Sequence, residues 1–303
     1  MDLRVLMEGT LRPVGKSRMQ LKNPDADVFA PDGSTVAEAL VKTTHLAVGA
    51  HQDDIEFMAM HGILECFRQT DRWFSGVTVT DGAGSPRSGP YEDCSDDDMR
   101  KIRAAEQRKA ALIGDYACQI QLGYPSKVVK DAANEEVAVY LKAIFEGANP
   151  EVIYLHNPAD KHDTHVACCL RSIAALRSLP EEKRPEKVYG CEVWRDLDWL
   201  LDSDKEVLRL DDRANISEAL CGVFDSQISG GKRYDLAVQG RHLANATFYE
   251  SHEVDRSDRL SFAMDLTPLI KDPSINVADF TLGLLRNMKD DITDRIARMN
   301  RQG

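Results

Sequence analysis

The sequence predicts an α/β fold built on a mainly parallel sheet with helices on both faces. Short apolar runs suited to buried strands are each followed by a polar turn and then by a segment with helical periodicity. This order occurs at residues 44–69 and again at residues 152–170. Such alternation favours parallel strands joined by right-handed crossovers. The 303 residues, 43% of them hydrophobic, can supply the core of one large α/β domain or of two smaller ones.

Residues 1–43 are predicted to form an irregular N-terminal extension, because five helix-breaking residues interrupt any long periodic pattern. Residues 44–303 are predicted to form a single domain whose C-terminal lobe, from about residue 190, is more mixed in structure. Its first strand runs over residues 44–50, and the second over residues 75–80. The breaking residues of the extension are Pro13, Gly15, Pro24, Pro31 and Gly33.

A helix is predicted between Asp98 and Gly114, preceded by an acidic run at residues 92–98 that is suited to capping its positive end. The acidic run lacks the ligand alternation and central glycine of an EF-hand, which disfavours a calcium loop. Within the helix, Arg103 and Glu106 have the spacing of a surface ion pair. Further along the chain we predict strands at residues 152–156 and 188–194 and a helix at residues 215–223.

Composition disfavours several classes of partner and indicates a location. A formal net charge of −12 disfavours binding to nucleic acid or to anionic membranes. No apolar run approaches the roughly 20 residues of a membrane span, and the N-terminus lacks the apolar stretch of a signal peptide. The seven cysteines contain no C-x-x-C pair and are expected to be reduced thiols. The expected location is therefore the cytoplasm.

Two polar clusters follow the ends of predicted strands, where ligands gather in open α/β sheets. His51 and Asp54 stand three residues apart on a tight turn and can converge on one cation, leaving Asp53 free to accept a proton. In the second cluster, His162 and His165 stand where a helix begins. If the two turns are neighbours, His165 can complete a His/Asp/His triad that leaves a coordination position for water.

The motifs resemble those of the LmbE-like, or PIG-L, metal-dependent de-N-acetylases. The stretch 51–56 (HQDDIE) is similar to the family's H-P-D-D-x-E motif, and the stretch 162–165 (HDTH) to its H-x-D-H motif. The stretch 103–106 (RAAE) resembles an R-x-x-E helix, and the stretch 225–227 (DSQ) an S-Q segment. The resemblance spans residues 44–253 and implies a Rossmann-like fold.

The resemblance also implies roles for individual residues. It assigns His51, Asp54 and His165 as ligands of a divalent metal, usually zinc, and Asp53 as the general base. His162 then assists the tetrahedral oxyanion or the leaving amine. Arg103 and, from a C-terminal loop, Tyr234 are implied as substrate contacts, although an ion pair for Arg103 and simple packing for Tyr234 remain open from the sequence.

Two residues depart from the family's motifs. Gln52 replaces a proline, which removes a fixed φ angle from the turn but no ligand. Thr164 stands where relatives commonly have an aspartate that orients the catalytic histidine, so another group, such as Asp163 or Asp160, must support His162, or the pKa of His162 lies lower than in relatives.

The expected function is that of a zinc-dependent hydrolase that removes an N-acetyl group from an amino sugar or an N-acetylglucosamine conjugate. Another divalent metal remains possible at the same site. An amidase that acts on a thiol-sugar or another small amide conjugate would use the same machinery. A non-catalytic sugar-binding protein is disfavoured, because binding alone needs no base beside a metal. Relatives often form homo-oligomers, so a homo-oligomer is expected here as well.

Overall fold

A computed structural model describes residues 23–300, and this part of the chain contains a single sheet of eight strands. The strands are short, and those in the centre are buried along their whole length. In chain order they are β1 (Asp27–Phe29), β2 (His45–Gly49), β3 (Phe74–Thr80), β4 (Cys118–Tyr124), β5 (Val152–His156), β6 (Lys187–Cys191), β7 (Glu206–Arg209) and β8 (Leu260–Asp265).

The sheet is mixed, which corrects the expectation of a mainly parallel one. The strand order is β1-β4-β3-β2-β5-β6-β8-β7. The four pairings from β4 to β6 are parallel, whereas β1 pairs with β4, and β8 with both β6 and β7, in antiparallel fashion. The two repeated strand–turn–helix units build the parallel centre, and antiparallel strands at its edges are common in such sheets. The polar strand β7 has no clear apolar run from which its direction can be inferred.

Helices cover both faces of the sheet. Consecutive residues of β2 point to opposite sides: Leu46 and Val48 belong to one apolar core, and Ala47 belongs to the other. The helices are α1 (Val36–Lys42), α2 (Asp54–Met58), α3 (Met60–Cys66), α4 (Asp96–Ile113), α5 (Ser126–Lys130), α6 (Glu136–Ala148), α7 (Asp163–Arg177), α8 (Ala214–Gly222), α9 (Asp225–Ile228), α10 (Tyr234–Phe248), α11 (Thr267–Lys271) and α12 (Val277–Met299).

The N-terminal extension is more regular than its prolines and glycines predict. Strand β1 pairs with β4 at the edge of the sheet, and α1 begins with a capping box formed by Thr35 and Glu38. Ala39 and Leu40 are buried in the same core as Leu46 and Val48 of β2. The prediction of an irregular segment is thus wrong for β1 and α1, while residues 1–22 lie outside the described part of the chain. The domain boundary at residue 43 stays a prediction.

Several local predictions agree with the structure. Ser95 and Asp98 form a capping box at the start of α4, as the acidic run indicated. The predicted strand at residues 188–194 corresponds to β6, which ends earlier, at Cys191, and the predicted helix at residues 215–223 corresponds to α8. The helical segment predicted at the end of the first unit, residues 44–69, is divided into α2 and α3 at Ala59. None of the helices within residues 23–300 is long and apolar enough to cross a membrane.

Candidate metal centre and active site

The two polar turns of the sequence lie side by side at the carboxyl end of the sheet. Strands β2 and β5 are adjacent and parallel, with Val48 opposite Leu155. The turn that follows β2 therefore meets the segment that follows β5. This arrangement brings His51 and Asp54 together with His165 at the N-terminal ends of α2 and α7.

Three side chains form a compact donor set that fits a metal ion. The Nδ1 atom of His51 lies 3.3 Å from a carboxylate oxygen of Asp54 and 3.2 Å from Nε2 of His165. That Nε2 atom lies 3.4 Å from the other oxygen of Asp54. Ligands held at about 2.0–2.1 Å from a tetrahedral zinc ion stand about 3.3 Å apart, so the spacing matches such an ion. If each of the three side chains supplies one ligand atom, they can hold a divalent cation with one tetrahedral position left open.

The turn that carries these residues has an unusual backbone. Asp53 has a φ of 106°, which is strained for a residue with a side chain. The backbone N–H of His51 donates a 2.7 Å hydrogen bond to Asp54, and the N–H of Asp53 donates to Gln107 at 3.3 Å. These bonds hold the turn so that neighbouring carboxylates diverge, with Asp54 in the donor set and Asp53 lining the open cleft.

The two adjacent carboxyl groups differ in acidity. Burial and the nearby charge of Asp54 raise the pKa of Asp53 well above its ordinary value, against the opposing effect of Arg103 at 3.6 Å. Burial also acts to raise the pKa of Asp54, but the imidazoles of His165 and His156 outweigh it and hold that pKa well below the ordinary value. One carboxylate is therefore suited to bind a cation and the other to accept a proton.

Asp160 lies behind His165 of the candidate donor set. Its carboxylate lies 3.5 Å from Nδ1 of His165, the ring nitrogen opposite the one that faces Asp54, and it also accepts from the backbone N–H of Trp194 at 3.1 Å. A carboxylate behind a ligating histidine fixes the ring and its tautomer. Although His156, Asp160 and His165 lie close enough to form a second donor group, Nε2 of His156 already accepts a 2.9 Å hydrogen bond from the backbone N–H of residue 50. We therefore assign these residues to the support of the first site.

His162 is held by the backbone and not by a carboxylate. Its Nδ1 atom accepts a hydrogen bond of 3.3 Å from the N–H of Thr164 at the start of α7. In its neutral form the ring then carries its proton on Nε2. Asp160 accepts from the backbone N–H of His162 at 2.9 Å, and no carboxylate among residues 23–300 bonds to the ring. Burial and the nearby His165 lower the pKa of His162, which favours the neutral form.

Arg103 is a buried residue of the site and not half of a surface ion pair. Its guanidinium donates to the carbonyl of Gln52 and to the hydroxyl of Ser85, and it lines the cleft. Glu106, which the spacing paired with it, instead accepts from the N–H and hydroxyl of Ser226, within the S-Q segment of the sequence. Gln52 is also buried, and its amide donates to the carbonyl of Thr80 at 3.1 Å. The residue that replaces the motif's proline thus ties the turn to β3.

The site opens into a cleft of about 820 Å³. Trp194 and Tyr234 form one wall, with ring centres 6.1 Å apart, and Trp194 lies 5.9 Å from the ring of His162. Burial and the charges of Asp53 and Asp54 raise the pKa of Tyr234 to about 12, so its hydroxyl stays protonated at neutral pH. The structure thus places all seven residues singled out in the sequence around this cleft or, for His165, directly behind it.

Three residues of the site were missed in the sequence. His156 ends β5, is fully buried and lies 3.4 Å from Asp54, and its position at a strand end was the available signal. Trp194 and Lys232 both line the cleft and contact each other, with the ammonium 4.5 Å from the centre of the indole ring. Neither belongs to a motif, so only the tertiary structure brings them to the site.

Comparisons with known proteins identify a family for part of the chain and similar folds. The GlcNAc-PI de-N-acetylase (PIG-L) family matches residues 46–176. No curated protein sequence matches the chain. Similar solved structures include the conserved protein TT1542 from Thermus thermophilus, with a TM-score of 0.57 and 17% identity over 77% of this chain and 99% of that one.

Two further structures show that the fold is used for more than one reaction. N,N'-diacetylchitobiose deacetylase from Pyrococcus horikoshii has a TM-score of 0.56 and 15% identity over 77% of this chain and 88% of its own. GalB, the 4-carboxy-2-hydroxymuconate hydratase from Pseudomonas putida, has a TM-score of 0.57 and 14% identity over 74% of this chain and 96% of its own. At these identities the likeness shows the fold. The family match adds the class of reaction, which is hydrolysis of an amide bond. Residues 46–176 are a PIG-L domain, and the PIG-L family consists of N-deacetylases.

Proposed function

We propose that the protein is a zinc-dependent hydrolase that removes an N-acetyl group from an amino sugar or an N-acetylglucosamine conjugate. The observation that carries the proposal is the pairing of two features at one strand end. The ring nitrogens of His51 and His165 lie 3.2 Å apart, each lies 3.3–3.4 Å from an oxygen of Asp54, and Asp53 lies beside them with a raised pKa. A protein that only binds sugar needs no such base.

The donor set defines where the metal would be held. His51, Asp54 and His165 offer two imidazole nitrogens and a carboxylate oxygen, which suit zinc and also fit other divalent ions. A divalent ion at such a site lowers the pKa of water towards about 7 and polarises a carbonyl oxygen.

The surrounding side chains supply the proton transfers. Asp53 accepts a proton from the attacking water, and its raised pKa lets it keep that proton until the amine leaves. The leaving nitrogen needs this proton, because an amide anion is too basic to depart. His162 presents an Nε2–H that can donate a hydrogen bond to the developing oxyanion, as can the protonated hydroxyl of Tyr234.

The residues that line the cleft favour a sugar substrate that bears an anionic group. Its aromatic wall suits the apolar face of a sugar ring, and the buried guanidinium of Arg103 can orient hydroxyl groups. Lys130 and Lys232 also line the cleft, and neither has an ion-pair partner within residues 23–300. Such cations favour a phosphate or carboxylate on the substrate, although the whole chain carries a net charge of −12.

The reaction is tested by measuring acetate release from a panel of N-acetylglucosamine derivatives. We expect release that stops with a strong chelator and returns when zinc or another divalent ion is restored. One protein with this fold is a 4-carboxy-2-hydroxymuconate hydratase, and hydration releases no acetate, so acetate release also distinguishes hydrolysis from hydration. Absence of acetate release from every acetamido sugar by protein shown to contain metal would disprove the proposed function.

The basic wall gives a prediction about specificity. Replacing Lys130 and Lys232 by alanine removes two charged hydrogen-bond donors, and the loss of one such interaction corresponds to about a tenfold change in binding. We expect KM for a phosphate- or carboxylate-bearing substrate to rise about tenfold or more, with little change for a neutral one. Lys127→Ala is the matched control, since Lys127 lies on the same helix α5 but outside the cleft. Equal effects on both substrates would refute an anion site.

A further inference from the structure

The C-terminal helix α12 has two apolar faces, and only one of them contacts the body of the protein. Val277, Phe280 and Leu284 pack against the core, and Asn287 bonds to Asp204 at 2.9 Å. The opposite face carries a row of large apolar side chains that are 44–78% exposed. We call this row the α12 stripe; it consists of Leu282, Leu285, Ile292, Ile296 and Met299.

The α12 stripe has the spacing of a coiled-coil seam. Its members, with Lys289 in the middle, alternate at intervals of three and four residues along the helix. This 3-4 alternation is the pattern by which one helix packs its side chains into those of another. Beyond residue 288 nearly every residue of the helix is exposed, so the body supplies no packing partner for that half within the described residues 23–300. Most of the stability of a helix in a protein comes from the packing of its apolar face.

We propose that the α12 stripe is a dimer interface, on which α12 of a second copy of this chain packs in antiparallel orientation. The choice of a second copy follows from self-complementarity. About a two-fold axis near residues 290 and 291, Leu282 faces Met299 of the second copy, and Leu285 faces Ile296. A symmetric interface of this kind closes after two copies.

Charge selects the antiparallel orientation. In a parallel pair, Lys289 would face Lys289 of the second copy inside the seam, which is unfavourable. In the antiparallel pair it faces Ile292 and can extend its ammonium to solvent. The arginines that flank the seam, Arg286 and Arg295, then lie beside Thr293 and Met288 of the second copy. The three aspartates of this segment, Asp290, Asp291 and Asp294, lie on the outer face of the helix.

The oligomeric state of the full chain tests the interface. We expect sedimentation equilibrium to give a concentration-dependent mass that approaches twice the 33.8 kDa of one chain. Ile292→Glu should shift the protein to a monomer without loss of deacetylase activity, because residue 292 lies outside the catalytic cleft. Val139→Glu is the matched control, because Val139 is an exposed aliphatic residue on helix α6, and it should leave the dimer intact.

Cross-linking tests the orientation. Six of the seven cysteines are buried, so a Cys94→Ser background leaves little reactive thiol. When the Leu285→Cys protein is mixed with the Ile296→Cys protein, an antiparallel dimer gives a mixed disulfide between the two. A parallel dimer instead links each variant to itself. A monomer at all concentrations, a dimer that survives Ile292→Glu, or self-linking of the single variants would each overturn the proposal.

Discussion

Replacing Asp53 by asparagine is expected to lower kcat by a factor of about 10² to 10⁴, the usual contribution of a general base, while the protein still binds its metal. The substitution keeps the size of the side chain and removes its ability to accept a proton. Asp53 lies outside the donor set of His51, Asp54 and His165, so the metal content should remain that of the wild type. Loss of turnover with retained metal is the signature that separates a base from a ligand.

The measurement combines acetate release with metal analysis of the same protein sample. Asp81→Asn is the matched control, because Asp81 lines the same cleft and pairs with Arg100 at 3.2 Å. It removes the same negative charge without touching the reacting groups, and it should lower kcat far less than the substitution at Asp53. Full activity of Asp53→Asn would show that the proton goes elsewhere.

Much of the candidate site can be predicted from the sequence, because its candidate ligands follow strand ends. A polar turn after a buried strand places its side chains at the carboxyl edge of a sheet, so residue type and position are enough to select His51, Asp54 and His165 as candidates. The same logic applied to His156, the last residue of β5, identifies the histidine that contacts Asp54. The sequence leaves open which turns are neighbours, and the pairing of β2 with β5 answers that question.

The remaining features depend on contacts between distant segments. The edges of the sheet were mistaken because β1 and β7 are only three and four residues long, too short for a clear sequence pattern. Their pairing with β4 and β8 decides their role. Trp194 and Lys232 reach the cleft from the C-terminal lobe, where no motif marks them. The local sequence pattern does not indicate which distant segments of the chain contact each other.

The two departures from the family's motifs have structural explanations. Gln52 uses its amide to join the active-site turn to β3 and, through Gln121 at 3.2 Å, to β4. A proline could not make these bonds. At Thr164 the missing carboxylate is replaced by the residue's own backbone N–H, which bonds to the ring of His162. This donor orients the ring but cannot raise its basicity as a carboxylate would, so we infer that His162 acts here as a neutral hydrogen-bond donor.

The second large effect concerns the metal. His165→Ala removes one of the three proposed ligands, and we expect the purified protein to contain no bound zinc and to show no turnover. Asp160→Asn leaves all three ligands in place but removes the negative charge 3.5 Å behind His165. Substitutions of such supporting residues weaken metal binding by about 10- to 100-fold, which is the effect expected here. Competition with a chelator of known affinity measures the difference.

The contrast between these two variants decides which of the two donor groups holds the ion. If the metal sat among His156, Asp160 and His165, the loss of Asp160 would remove a ligand and would abolish binding as completely as the loss of His165. If it sits among His51, Asp54 and His165, added metal restores activity to Asp160→Asn and not to His165→Ala. We expect the second result, since Nε2 of His156 is already occupied by the backbone N–H of residue 50 and could bind an ion only by breaking that buried bond.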